Sequence, residues 1–269
     1  SVSSGGSTTA QIDLDQAYAI PLIVDGALTI GDIDINGNST ITISGSGNIS
    51  IADELLIGAD AIIANNLTGT LSVANRISFE AGADADFIND GPLTAGSVNF
   101  DTDNSLFSNS SSAIISGDIT STDNNDDDNQ IINSAGATLS LVNFNPANAD
   151  VDVFNSGTLN QSGNFTNIAN GDTNFDNLTS GVWNWSLAGN TAYDNTMNSV
   201  LNCSAEDNTF NYNASGGQRI VPVTYHHLLL SNSGVKDANN ASWAVNGNWT
   251  VSGSAIFAEG IGTITLGGS

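Results

Sequence analysis

The chain has 269 residues, with 3 Lys plus Arg against 28 Asp plus Glu and a formal charge of −25. So few cations exclude a basic footprint for nucleic acid and a Lys/Arg-bearing amphipathic helix for a membrane surface. No apolar run approaches the roughly 18 residues that cross a bilayer, so no membrane span is expected.

The remaining composition points to β structure. Asn occurs 37 times and Gly 28 times, and both residues favour turns over helix interiors. Hydrophobic residues make up 39% and fall in short regular runs, which disfavours disorder. The single cysteine, Cys203, excludes an internal disulfide framework and reads as a small buried residue or an intermolecular link. An acidic, Lys-poor chain rich in Asn, Ser and Thr suits an extracellular setting. The chain starts at Ser1 without a basic and apolar leader, so a signal peptide is expected to be removed or absent.

In chain order, residues 1–24 read as an N-terminal edge strand, a cap, or a segment exchanged with a neighbour, with Ile20-Pro21-Leu22-Ile23-Val24 as its apolar part. Ala27–Ile30, Ser39–Ser44 and Asn48–Ile51 alternate polar and apolar, the pattern of strands with one buried face. From there an Asn recurs before small-residue turns: Asn66, Asn89, Asn109, Asn133, Asn155, Asn177 and Asn198. The steps are 23, 20, 24, 22, 22 and 21 residues. A period near 22 predicts an all-β, right-handed parallel β-solenoid (β-helix), with solenoid coils over residues 25–220. The alternative is a row of β-sandwich modules. Stacked at about 4.8 Å, equivalent Asn side chains would form a ladder of amides. Residues 221–269 form a C-terminal β repeat unit, closing on the alternating strand Thr263–Leu266.

That unit carries a resemblance. Tyr225-His226-His227-Leu228-Leu229-Leu230-Ser231-Asn232-Ser233-Gly234-Val235-Lys236 leads to Val245-Asn246-Gly247-Asn248-Trp249-Thr250-Val251 and then Thr263-Ile264-Thr265-Leu266-Gly267-Gly268. It resembles the Asn/Gly-rich repeats of large secreted surface proteins of Bacteroidetes-like bacteria. The resemblance covers about 45 residues, Tyr225 to Gly268. It implies a secreted repetitive β protein used as an adhesin, stalk or filament, and it implies no catalytic residues.

Few residues suggest chemistry. Asp123, Asp126, Asp127 and Asp128 form the densest acidic cluster and offer oxygen ligands to Ca²⁺, although the EF-hand Gly and Glu are missing. Trp183, Trp185, Trp243 and Trp249 are candidate ligand or interface aromatics, with core packing as the plainer role. His226 and His227 are adjacent, so on one strand they would face opposite sides and not chelate together. Twelve Asn-x-Ser/Thr sequons occur, Asn66, Asn109, Asn160, Asn177 and Asn184 among them. No catalytic residues and no cofactor other than Ca²⁺ are expected. The expected function is a secreted structural subunit that joins copies of itself end to end into a filament or stalk. An adhesin for glycans or cell surfaces, and a β-helix enzyme degrading polysaccharide, are the alternatives.

Overall fold

The computed structural model describes residues 12–14, 18–35, 37–80, 84–101, 104–121, 129–146, 151–166, 173–189 and 197–267. It is a β-solenoid of parallel strands with coils of about 22 residues. Every strand pairing among the described residues is parallel and joins equivalent strands of neighbouring coils. Among the described residues there is one short helix, Met197–Val200.

Each coil in the central part has three sides. The coil beginning at Ile62 shows why. Ile62–Leu67 forms one side, and Leu71–Phe79 forms the other two by bending at its exposed middle residues Ala74, Asn75 and Arg76. The bend is repeated in the next coil, where the register of Leu93–Phe100 slips between Ala95 and Ser97. Alternation does the rest. Ile63, Leu71, Val73, Ile77 and Phe79 point inward and are at most 3% exposed. Each buried side chain of this kind stabilises the fold by about 1.5–3 kcal/mol.

The core changes character along the axis. One inward column runs Ile49, Leu71, Leu93, Ala113, Leu139, Leu159, Trp183, Phe210 and Leu228. Aliphatic residues fill its levels up to Leu159, Trp183 and Phe210 follow, and Leu228 returns to an aliphatic side chain. Where rings fall in register they stack: Phe79 on Phe100 at 4.7 Å between centroids, and Phe87 on Phe107 at 5.5 Å.

The coils lie close enough at one corner to require glycine. A Cβ on Gly47 would strike the Gly26 carbonyl, and one on Gly69 would strike the Gly47 carbonyl. At Gly45 the backbone is also left-handed, with φ of 112°.

The long sheet crosses residue 220 without interruption, passing from Thr209–Tyr212 to His227–Leu230 and Trp249–Val251. The side that carries the Asn series passes through a bridge between Cys203 and Tyr225 into a three-stranded sheet ending at Ile264–Leu266. Among the described residues, no helix is long and apolar enough to cross a membrane.

Candidate functional site

A continuous amide ladder runs inside the solenoid. Asn65, Asn89, Asn109, Asn133, Asn155 and Asn177 occupy successive levels of one strand column. All six are at most 1% exposed. Each Nδ2 donates to the Oδ1 of the next rung, at 2.7, 2.8, 2.9, 2.8 and 2.8 Å in chain order. From Asn109 onward Nδ2 also donates to a backbone carbonyl of the coil above: Thr138 at 3.1 Å, Thr158 at 3.0 Å, Val182 at 3.1 Å and Thr209 at 3.0 Å. The ends are closed by backbone. Asn65 Oδ1 accepts from the Leu67 amide at 3.3 Å, and Asn177 Nδ2 donates to the Gly181 carbonyl at 3.1 Å. A buried amide without partners is costly, so the ladder is built so that each rung satisfies the next.

Two rungs differ from the sequence reading. Asn66 is exposed, and Asn65 takes its place in the ladder. The reason is strand parity: Ile63, Asn65 and Leu67 are buried on one face, so Asn66 must point out. Asn198 lies in the helix Met197–Val200 and so leaves the strand column. Asp176 pairs with Asn202, which puts Cys203 at the level beyond Asn177.

A second ladder lies on the outer face of the long sheet and runs the other way. Asn211 Nδ2 donates to Asn184 Oδ1 at 2.9 Å, Asn184 Nδ2 to Asn160 Oδ1 at 2.9 Å, and Asn160 Nδ2 to Ser140 Oγ at 3.3 Å. Ser231 Oγ closes it by donating to Asn211 Oδ1 at 2.7 Å. Its amides donate toward lower residue numbers, whereas those of the inner ladder donate toward higher ones. Of the sequon asparagines, Asn109 and Asn177 are buried and Asn160 and Asn184 hold rungs of this outer ladder.

The tryptophans belong to the core rather than to a binding face. Trp183 and Trp185 point inward and are 1% exposed, and Trp243 is 5% exposed. Trp249 is half-buried and packs edge-on against Trp243 and Phe257. The i, i+2 spacing correctly puts Trp183 and Trp185 on one face, and that face is the interior, so neither ring is open to a ligand. The Ca²⁺ candidates Asp123, Asp126, Asp127 and Asp128 lie outside the described residues. Cys203 is fully buried, so its thiol is not presented to a second chain. Burial pushes the thiol pKa well above the ordinary value, and the charge of Asp176 adds to the rise.

Lys236, at the end of Ser233-Gly234-Val235-Lys236, is buried, and no carboxylate among the described residues pairs with it. Its Nζ donates to the Ala214 carbonyl at 2.9 Å, the Gly216 carbonyl at 3.3 Å and Gln218 Oε1 at 2.8 Å. Gln218 Nε2 continues to the Trp185 carbonyl at 2.8 Å. The ammonium thus ties together carbonyls of an adjoining coil, and burial lowers its pKa to about 8. Nearby, the Val221 amide donates to Tyr212 Oη at 2.8 Å and Tyr225 Oη donates to the Val221 carbonyl. The two phenols lie 2.8 Å apart, so Tyr212 donates to Tyr225 and closes the ring.

His226 and His227 do not face opposite sides. The strand that contains Tyr225 ends there, His226 makes the bend, and His227 starts the next side of the coil. Both imidazoles therefore sit at one corner, with ring centroids 4.3 Å apart. Side-chain atoms of Asp207, His226 and His227 fall within 4.8 Å of one another. The Asp207 amide donates to His226 Nδ1 at 3.0 Å, and the Asn248 amide donates to His227 Nδ1 at 2.8 Å. His227 Nε2 lies 3.8 Å from Asp207 Oδ1. The sequence hid this corner because its turn is a single residue, where the next coil uses Asn246, Gly247 and Asn248.

Comparisons with protein-family models, curated proteins and solved structures gave no match.

Proposed function

We propose that the chain is a secreted structural subunit that builds an extracellular filament or surface stalk by stacking copies end on end. The observation that carries this reading is the uncovered core of the last described coil. Leu230 is fully buried, while Val251, its partner one level on, is 46% exposed. Val245 is fully buried, while its partner Leu266 is 63% exposed. These are core positions that no described residue covers. Among the described residues, the strands Trp249–Val251, Ser254–Ala258 and Ile264–Leu266 likewise pair along one edge each. Unpaired edges with apolar side chains beside them template further strands.

At the other end, Ala19–Ile23 pairs, among the described residues, with Thr40–Gly45 alone, and Ile23 is 67% exposed. A second copy joined here would continue parallel sheets with parallel sheets. With 3 cations against 28 acids, such a joint relies on backbone pairing, apolar contact or bridging Ca²⁺ rather than on salt bridges.

Electron microscopy of the purified chain tests this. Rods several times longer than one solenoid, lengthening with protein concentration or Ca²⁺, are the expected result. Leu266→Asp should shorten them. Monodisperse short rods under all calcium and concentration conditions overturn the proposal.

A further inference from the structure

Three groupings stand outside the ladders: the buried Lys236 ammonium, an open hollow of about 380 Å³ lined by Thr224, Ser242, Thr263 and Thr265, and the Asp207–His226–His227 corner. Lys236 is sealed inside the coil. The hydroxyls that line the hollow, on Thr224, Ser242, Thr263 and Thr265, belong to exposed residues. The histidine corner carries an inference that does not depend on the filament reading.

The hydrogen bonds fix the protons at this corner. A backbone N–H can only donate, so a ring nitrogen receiving it must offer a lone pair. Both Nδ1 atoms receive such bonds, from Asp207 and from Asn248. Each neutral ring therefore carries its proton on Nε2. This assignment argues against a metal held by Asp207, His226 and His227, because a metal at Nε2 needs the lone pair that the proton occupies.

We infer that the His226–His227 corner is an acid-sensitive joint, in which protonation of the two imidazoles withdraws the acceptors that hold the coils before and after it. A protonated ring carries N–H on both nitrogens. Nδ1–H would then face a backbone N–H at 3.0 Å on one side and 2.8 Å on the other. Two bonds are lost and two donor–donor contacts replace them. The rings, 4.3 Å apart, would also repel as cations.

Among the described residues, the surrounding charges do not compensate. Asp207, from the coil before, is the charged side chain in contact with the pair, at 3.8 Å from His227 Nε2, and Glu206 precedes it. One carboxylate at that distance cannot neutralise two imidazoliums. The packed segment of the coil after, Asn246 to Trp249, contains no titratable residue. Tyr225, before the pair, points into the core. Gly247 lies directly against the His227 ring, where a Cβ would strike Nδ1 at 2.6 Å, so the ring has no room to withdraw toward the coil after.

The joint has a defined location. Backbone bonds from His226 to the Cys203 carbonyl, at 2.7 Å, and from Gly247 to the His226 carbonyl, at 2.7 Å, flank the two imidazole bonds. Acid therefore loosens one corner across three coils, not the whole solenoid.

Amide hydrogen exchange, read residue by residue by NMR on the full chain, tests the joint. Protection of the Asp207 and Asn248 amides should fall about tenfold or more between about pH 8 and about pH 5, after correction for intrinsic exchange. Amides of the Asn ladder should not follow. In H226N/H227N an amide oxygen takes the place of each Nδ1 and accepts at any pH, so the drop should vanish. Protection that is independent of pH in the wild type, or an equal drop in the double variant, overturns the inference. Should the double variant not fold, ¹⁵N spectra of the wild-type imidazoles decide. Nε2–H tautomers at about pH 8 are expected; Nδ1–H tautomers overturn the inference.

Discussion

Cys203 stands one level beyond Asn177 in the same inward column, and the inner amide ladder stops there. A thiol is a weak donor and a weak acceptor, so it cannot extend a chain of amides. Asn177 instead turns both Nδ2 hydrogens to backbone carbonyls, of Gly181 and Thr209. The apolar character of Cys203 suits the level at which the column becomes Tyr225 and then Val245.

Cys203 should be inert in the native protein. It is buried, and burial with the Asp176 charge disfavours the thiolate, the reactive form. A disulfide exchange reagent at neutral pH is expected to label none of it until denaturant is added. Rapid stoichiometric labelling of the folded chain would show that this level opens.

Asn109→Ala removes a middle rung. It leaves the Asn89 amide without its acceptor and Asn133 Oδ1 without its donor, both in the interior. At about 1–3 kcal/mol for each of the two orphaned groups, a loss of about 2–6 kcal/mol is expected in denaturant unfolding. Asn66→Ala should change stability by less than about 0.5 kcal/mol, since that side chain is exposed. Similar losses for both variants would mean that the ladder does not stabilise the fold.

Lys236 makes stability depend on alkaline pH. Its pKa is about 8 in the native state against an ordinary 10.5. Between these values the unfolded chain keeps the proton and the native chain sheds it, so stability rises with pH across that window. The gain is at most about 3 kcal/mol, and the three acceptors around Nζ hold it below that ceiling. Thermal melts of wild type and Lys236→Met from neutral pH to about pH 10 separate this from other groups. The wild type alone should show the rise.

Gly69→Ala should cost about 1–3 kcal/mol, the usual penalty of overpacking. Its Cβ would meet the Gly47 carbonyl of the coil below. Gly26→Ala is the control, because nothing lies within 4 Å of a Cβ there. Chemical unfolding of the two variants side by side distinguishes a corner that needs glycine from one that merely contains it.

Much of this solenoid can be read from residue types and spacing. Alternation in Ser39–Ser44 and a return of Asn every 20 to 24 residues give parallel coils and an inward amide series. Adjacent asparagines at 65 and 66 defeat that reading, because period alone cannot choose between neighbours. Parity does so: Leu67 is buried, and Asn65 shares its face. Asn198 misleads differently, since the segment between Asn177 and Cys203 is longer than other coils and includes a helix. Trp183 and Trp185 share one face, as their i, i+2 spacing requires, yet spacing alone cannot say whether that face is inside. His226 and His227 were hidden by a one-residue corner that resembles continuous strand.

The coil spacing has an electrical consequence. From Leu22 to Leu266 the column climbs in steps of about 4.8 Å, for a length of roughly 50 Å. A net charge of −25 over that length is about one charge every 2 Å, close to the 1.7 Å or so of duplex DNA. The protein is therefore a polyelectrolyte, and mobile cations condense on it as they do on a nucleic acid. Ionic strength, more than any single carboxylate, sets how closely two such rods approach.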